Sequence, residues 1–126
     1  MNILVSNDNL GILDDLVWAC GKGASEATVV QAKDGREAMN ALDLHKFDLA
    51  VLDCQMPFYN GVEVAQEAIR RDVIDTILFY TASEEMVRKL WSHYQLDGSP
   101  KFIDDLTDLI TEVKTVVQKI SGSGSD

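Results

Sequence analysis

The sequence predicts an α/β domain in which helices cover both faces of a five-stranded parallel sheet. Two observations support this fold class. Short apolar runs that suit strands alternate along the chain with longer segments whose apolar residues recur at helical spacing. The central run, FDLAVLD, is apolar almost throughout, as expected of a strand that helices cover on both sides. Repeated strand–helix units of this kind imply parallel strands joined by right-handed crossovers.

The first half of the chain contains three predicted strands and two predicted helices. The strands are NILVS, ATVVQA and FDLAVLD. Apolar residues at helical spacing follow the first and second strands, namely Ile12, Leu13, Leu16, Val17 and Cys20, and then Ala38, Ala41 and Leu42.

The second half continues the alternation. Asn60-Gly61 turns the chain into a third helix, DTILFYT is a fourth strand, and QLDGSPKF is a weak candidate for a fifth. The apolar positions of the last three helices are Val62, Ala65 and Ile69, then Met86, Leu90 and Tyr94, and finally Leu106, Leu109, Ile110, Val113, Val117 and Ile120.

Composition and charge narrow the functional classes. The chain has 126 residues, of which 46% are hydrophobic and 25% charged, which suits one globular domain. We assign the domain to residues 1–120 and the SGSGSD tail to residues 121–126. The tail could be a linker, an appended expression sequence or a disordered end. A net charge of −10 argues against nucleic-acid binding and is compatible with a metal ion or a cationic partner.

The cellular location is expected to be the cytoplasm. Cys20 and Cys54 both lie in apolar surroundings, so we interpret them as reduced core residues. No apolar run approaches the length of a membrane span, and no signal peptide precedes the first strand. We therefore expect no membrane contact.

Polar side chains follow the predicted strands at their carboxyl ends. Asn7 and Asp8 follow the first strand, Asp53 ends the third, Thr81 ends the fourth, and Lys101 lies near the fifth. Ligands bind at this edge of open parallel sheets. Two carboxylates about 4 Å apart would repel by roughly 4 kcal/mol at an effective dielectric near 20. A hard divalent cation relieves that repulsion, and oxygen ligands suit Mg²⁺.

Four segments resemble the receiver domain of two-component response regulators: ILVSNDN, LDCQMPFYNG, LFYTAS and KFIDDLTDLI. The resemblance runs from about residue 2 to residue 120. It implies a flavodoxin-like, doubly wound sheet of strand order 2-1-3-4-5 with five helices in a single domain. It also implies a phosphoprotein that works as a signalling module in a phosphorelay and is not itself an enzyme.

The resemblance implies a role for each site residue. Asp53 resembles the aspartate that accepts a phosphoryl group from a histidine kinase or a histidine phosphotransfer domain. Asp8, Asp53 and the backbone carbonyl of Gln55 resemble the Mg²⁺ ligands, and Asn7 would act through a water. Thr81 resembles the hydroxyl that bonds the phosphoryl oxygens. Asp8, Asp53 and Thr81 could instead be ordinary turn or capping residues.

The sequence departs from the family at two places. Receivers usually carry two acids after the first strand, whereas this chain has Asn7 there, so we expect weaker Mg²⁺ binding. GSPKF replaces the usual lysine-proline segment: either Ser99-Pro100 stands in its place and the lysine is lost, or Lys101 supplies the ammonium. We favour Lys101, because Lys-Phe opens the last helix. Tyr94 is a candidate for the aromatic residue that receivers use in switching.

The last predicted helix begins with an acidic segment. Asp104, Asp105 and Asp108 are expected to stabilise its amino end through the helix dipole.

Two functional hypotheses remain open. In the first, phosphorylation of Asp53 switches the domain, which then acts on an output domain or a partner protein. In the second, the chain is a pseudo-receiver that keeps the fold and binds proteins without phosphorylation. Asn7 and the GSPKF segment favour the second hypothesis, whereas Asp8, Asp53 and Thr81 favour the first.

Overall fold

A computed structural model describes residues 1–124 of the chain. Strands and helices alternate throughout, which confirms the predicted fold class with its five helices. The strands lie in the order β2-β1-β3-β4-β5. The elements are β1 (Asn2–Ser6), α1 (Leu10–Gly23), β2 (Thr28–Ala32), α2 (Gly35–Leu44), β3 (Phe47–Leu52), α3 (Gly61–Arg71), β4 (Ile74–Phe79), α4 (Glu84–His93), β5 (Lys101–Phe102) and α5 (Leu106–Gly124).

All the strand pairs of the sheet are parallel, so the strands end at one edge. Backbone hydrogen bonds continue the ladder just past the ends of the strands. The Asp53 amide donates to the Ser6 carbonyl at 3.0 Å, and the Tyr80 amide donates to the Leu52 carbonyl at 2.9 Å. The Ile103 amide donates to the Phe79 carbonyl at 3.0 Å. These hydrogen bonds therefore fix the first residue after each of β3, β4 and β5 at the carboxyl edge of the sheet.

Two hydrophobic clusters cover the faces of the sheet. Successive side chains of a strand point to opposite faces, so Leu4 joins one cluster while Ile3 and Val5 join the other. The face of Leu4 also carries buried residues of α2, α3 and α4, and the opposite face carries buried residues of α1 and α5. This covering on both sides explains why the central strand is apolar at every position except Asp48.

Helix α4 packs through other residues than the sequence indicated. Val87 and Trp91 are buried, whereas Met86 is 43% exposed and Leu90 is half-buried. Tyr94 lies at the carboxyl end of α4 rather than on β5. The buried face of α4 is thus displaced by one residue from the predicted face. Val87 and Trp91 have the same i, i+4 spacing as Met86 and Leu90, so the spacing alone does not distinguish the two pairs.

The fifth strand is as weak as its sequence indicated. It has two residues, and the segment before it bends through positive φ angles at Gln95 and Gly98. The Trp91 indole N–H donates to the carbonyls of Asp97 and Gly98, at 3.3 and 3.2 Å. This tryptophan therefore fixes the approach to β5 from inside the core.

The carboxyl terminus differs from the expected tail. Helix α5 continues to Gly124, four residues past the predicted boundary at residue 120, and residues 125–126 lie outside the described part. Helix propagation from an existing end costs far less than nucleation, so weak helix formers can extend it. In residues 1–124, no helix is both long and apolar enough to cross a membrane.

Candidate functional site

A cavity of about 500 Å³ opens at the carboxyl edge of the sheet. It lies among the segments that leave β1, β3, β4 and β5, as the strand order requires. Its lining is acidic and polar, with an isoleucine from α1 and another from the segment that leaves β5. The lining residues are Asn7, Asp8, Ile12, Asp53, Gln55, Tyr80, Thr81, Ala82, Ser83, Glu84, Ile103 and Asp104.

Asp53 is the carboxylate on which the central strand ends. Its Oδ1 accepts a hydrogen bond from the Cys54 amide at 2.7 Å. Burial raises the pKa of Asp53, and the negative charge of Asp8 raises it further. The Thr81 hydroxyl and the backbone amides of Cys54 and Gln55 offset part of this rise. A nearby cation would favour the charged carboxylate, because none of these groups compensates its charge fully.

The turn after Asp53 is fixed by Gly61. The Gly61 amide donates to the Cys54 carbonyl at 2.8 Å, and a Cβ on Gly61 would lie 2.0 Å from the Asp53 carbonyl oxygen. Asn60 and Glu63 close a capping box at the start of α3. The chain can therefore leave β3 and enter α3 within a short, close-packed loop only because residue 61 has no side chain.

A second anchor holds the same loop from α2. The Gly35 amide donates to the Pro57 carbonyl at 3.0 Å, and a Cβ on Gly35 would lie 2.0 Å from the Tyr59 carbonyl oxygen. Phe58 adopts a φ of 73°, which bulky residues rarely do. The Arg36 guanidinium lies 3.6 Å from the centre of the Phe58 ring. Contacts on two sides thus hold the loop that carries Gln55.

The capping alternatives for Asp8 and Asp53 are wrong in this structure. The N-cap of α1 is Asn9, whose side chain accepts a bond from the Ile12 amide at 3.1 Å. The N-cap of α3 is Asn60. Both aspartates line the cavity instead. Thr81 keeps a local role, because its Oγ1 accepts a bond from the Ser83 amide at 3.0 Å.

Asn7 is a buried polar residue at the cavity, with 2% of its surface exposed. Its side-chain Oδ1 accepts a hydrogen bond from the backbone amide of Asn9 at 2.9 Å, and its backbone amide donates to the Ala32 carbonyl at 3.1 Å. The side chain therefore shapes the turn that presents Asp8. An oxygen that already accepts one bond retains a second lone pair for a water.

Lys101 does not line the cavity. It lies opposite Leu78, three residues before Thr81, and its side chain is exposed. The segment that leaves β5 contributes Ile103 and Asp104 instead. The structure thus differs from the expectation that Lys101 supplies an ammonium, and none of the described residues that line the cavity is basic.

The donor set suits a magnesium ion held by few protein groups. In residues 1–124, no cluster of three or more histidine, cysteine, aspartate or glutamate side chains could hold a metal. Asp8 and Asp53 offer two carboxylates at the cavity, and the Gln55 backbone can add a carbonyl. Mg²⁺ commonly keeps several waters and binds through one or two carboxylates. These residues fit that pattern.

The environment of the Cys54 thiol, next to Asp53, disfavours its thiolate form. Cys54 is buried, and both burial and the charge of Asp53 raise the pKa of its thiol. Burial raises the pKa of Cys20 to about 12. Both cysteines are free thiols, as the sequence predicted, and neither forms a thiolate readily.

The sequence matches the profile of the response regulator receiver domain over residues 3–95. The match covers β1 to α4, which together carry Asp8, Asp53 and Thr81. The chain therefore belongs to the response regulator receiver domain family of two-component signal transduction. It has the five-stranded fold of that family, whose members are in general signalling modules.

Two relatives illustrate the sequence similarity. The alkaline phosphatase synthesis transcriptional regulatory protein PhoP of Bacillus subtilis is 32% identical over 88 residues, which are 70% of this chain and 36% of PhoP. The response regulator protein PmrA of Pseudomonas aeruginosa is 29% identical over 126 residues, which are 97% of this chain and 55% of PmrA. The chain thus spans between about a third and about half of these regulators.

Solved structures share the fold. The N-terminal domain of an uncharacterized protein from Wolinella succinogenes aligns with a TM-score of 0.82 at 19% identity, covering 98% of each chain. The response regulator TrrA of Thermotoga maritima, in complex with Mg²⁺ and BeF, aligns with a TM-score of 0.71 at 27% identity. That alignment covers 91% of this chain and 97% of TrrA.

Two acidic residues of the cavity, Glu84 and Asp104, were not predicted from the sequence as site residues. Glu84 opens α4, and Asp104 was assigned to the dipole of the last helix. The helix end is stabilised by others: Asp105 accepts from the Asp108 amide at 2.8 Å, and Asp108 accepts from the Asp104 amide at 3.1 Å. The sequence does contain a signal that separates Asp104 from the other two acids. Asp105 and Asp108 are three residues apart, which is the spacing of a helix cap, and Asp104 is not part of that pair.

Proposed function

We propose that the chain is a phosphoacceptor receiver that takes a phosphoryl group onto Asp53 from a histidine kinase or a histidine phosphotransfer protein. The observation that carries the proposal is the position of Asp53, held at the end of β3 in an open cavity beside Asp8. A carboxylate oxygen attacks phosphorus, the bond from phosphorus to the imidazole nitrogen breaks, and its electron pair remains on that nitrogen. The product is an acyl phosphate on Asp53.

Asp8, Asp53 and the Gln55 carbonyl would hold Mg²⁺, with Asn7 acting through a water. A bound cation would supply charge neutralisation at Asp8 and Asp53 as the phosphoryl oxygens approach these two carboxylates. The position of Asp8 and Asp53 at the same cavity supports this assignment, because a cation would offset the repulsion between the two carboxylates. The 27% identical TrrA, solved with Mg²⁺ and BeF, also supports it.

Thr81 would donate a hydrogen bond to a phosphoryl oxygen. Thr81 lines the cavity, and its hydroxyl offsets part of the rise in the pKa of Asp53. Ala82 beside it is small, so the phosphoryl group can enter without displacing a bulky side chain. We give Lys101 no contact with the phosphoryl group, since it lies outside the cavity.

The phosphorylated domain would act on an output domain or a partner protein in the cytoplasm. PhoP and PmrA support this, because both are named as regulators and are longer than the part that this chain matches. The domain itself would not bind nucleic acid, since its net charge is −10.

The test is incubation with Mg²⁺ and acetyl phosphate, read by intact mass. The wild type should gain one phosphoryl group, and the gain should vanish with EDTA and in Asp53→Ala. Asp14→Ala is the control, because this α1 acid is exposed and lies outside the cavity lining, and it should be phosphorylated as the wild type is.

A pseudo-receiver is the second candidate, favoured by Asn7 and by the lack of a basic side chain among the described cavity residues. If acetyl phosphate adds nothing, and beryllofluoride with Mg²⁺ leaves the amide NMR spectrum unchanged, the phosphoacceptor proposal is overturned. Protein binding that is the same for the wild type and Asp53→Ala would then be the expected activity.

A further inference from the structure

We propose that Asp104 sets the electrostatic balance of the phosphoacceptor cavity, so that it favours the divalent cation and opposes an anionic phosphodonor. The inference rests on the proposed function and adds a specificity-determining residue to it. Asp104 would make phosphoryl uptake depend more strongly on the bound cation, and it would slow transfer from small anionic donors.

The position of Asp104 follows from the end of β5. The Ile103 amide donates a hydrogen bond to the Phe79 carbonyl, and Ile103 is buried, with 5% of its surface exposed. The next residue therefore leaves the sheet at the cavity, where Asp104 forms part of the lining. Its amide is fixed by the Asp108 carboxylate at 3.1 Å. In the described residues, the Asp104 carboxylate forms no hydrogen bond or ion pair of its own.

The charges at the cavity are unbalanced. Four acidic residues line it, Asp8, Asp53, Glu84 and Asp104, and none of the described residues in the lining is basic. Asp8 and Asp53 are the groups that a divalent cation would neutralise. Glu84 has Arg88 at 4.0 Å on the same helix. Asp104 is the remaining carboxylate, with no cation within 4.0 Å in the described part.

This charge acts in opposite directions on the two ligands. A unit negative charge attracts a divalent cation and repels a phosphoryl group, which carries about two negative charges. At a separation of about 8 Å in nearly aqueous surroundings, either interaction corresponds to about fivefold in affinity. Ions at physiological strength would reduce it to about twofold, since the Debye length is then about 8 Å.

The experiment measures both ligands on Asp104→Asn and Asp104→Lys. Calorimetry gives the Mg²⁺ dissociation constant, and intact mass gives the rate of phosphorylation by acetyl phosphate at saturating Mg²⁺. Asp75→Lys is the control, because it makes the same change in net charge at the opposite, amino-terminal edge of the sheet. Asp104→Glu keeps the charge and should resemble the wild type.

We expect Asp104→Asn to raise the Mg²⁺ dissociation constant about two- to fivefold and to speed phosphorylation by a similar factor. Asp104→Lys should enlarge both changes, and added salt should shrink them. If both ligands weaken together, the role of Asp104 is structural and the inference is overturned. Equal changes in Asp75→Lys would overturn it as well.

The proposed function can fail separately. A wild type that is phosphorylated, with an Asp104→Lys variant that matches it in both measurements, would overturn only the inference. If neither protein is phosphorylated or binds beryllofluoride, the proposed function and the inference are both overturned.

Discussion

The two sides of the cavity are built differently. On one side, β1, β3 and β4 are long, and the loop after β3 is fixed by two close backbone contacts at Gly35 and Gly61. On the other side, β5 has two residues, and its approach depends on the Trp91 indole. The first side carries the groups proposed to bind the metal and the phosphoryl group.

The two sides of the cavity also differ in their match to the receiver family. The family profile matches residues 3–95, so it ends before β5 and α5. The matched part keeps the acids and the hydroxyl, whereas the part after it places Asp104 at the cavity and leaves Lys101 outside. The groups proposed to bind the cation and accept the phosphoryl group thus lie in the matched part, and Lys101, which the resemblance led us to expect at the cavity, lies outside it on the other side.

The strongest perturbation of the first side should be Gly61→Ala. The new Cβ would lie 2.0 Å from the Asp53 carbonyl oxygen and 3.3 Å from the Phe79 ring, so backbone must move. We expect a loss of about 3 kcal/mol in the free energy of unfolding, in the upper range of single substitutions. Urea denaturation followed by circular dichroism measures it.

Gly21→Ala is the matched control for that measurement. Gly21 lies in α1, and a Cβ there meets nothing within 4 Å. This substitution should stabilise the domain by up to about 1 kcal/mol, because alanine is the better helix former. Equal stability of Gly61→Ala and the wild type would mean that the loop after Asp53 is not closely packed.

The sequence predicted the first side of the cavity well because local rules determine it. Strand ends in a parallel sheet meet at one edge, so Asp8, Asp53 and Thr81 could be placed together from their positions after apolar runs. On the second side, the cavity lining depends on which residues of KFIDD lie at the carboxyl edge of the sheet. That register comes from the pairing of Lys101 with Leu78 and from the burial of Ile103, and sequence periodicity cannot define a strand of two residues.

The helix faces show the same limit. In α4, two sets of apolar residues at i, i+4 spacing compete for the core, and the bulkier pair of Val87 and Trp91 is buried. The contact of Gly35 with the loop after β3 could not be predicted from the sequence either, because it joins residues that are more than twenty positions apart.

A smaller, pH-dependent effect is expected at Asp53 itself. Burial and the charge of Asp8 raise the pKa of Asp53 in the folded state. The stability that its protonated form contributes is fully present below the ordinary pKa of aspartate, about 3.9, and is lost as the pH rises through the raised value. Asp53→Asn removes the charge, so it should be more stable than the wild type at pH 7.

Thermal unfolding at pH 7 and near pH 3.5, without metal, measures this effect. The advantage of Asp53→Asn should be present at pH 7 and should nearly vanish at the lower pH. Mg²⁺ should raise the melting temperature of the wild type at pH 7 and should raise that of Asp53→Asn less. An advantage that is independent of pH would show that the charge of Asp53 is not its cause.

The smallest effect is expected for Lys101→Ala, on the second side of the cavity. The Lys101 side chain is exposed, and the residue pairs with Leu78 outside the cavity. The rate of phosphorylation by acetyl phosphate at saturating Mg²⁺ should therefore stay within about twofold of the wild type, since salt screens the charge of an exposed side chain. Lys114→Ala is the control, because it removes the same charge from an exposed position of α5. A large loss in Lys101→Ala alone would mean that β5 shifts its register during phosphoryl transfer and brings the ammonium to the cavity, as the sequence resemblance led us to expect.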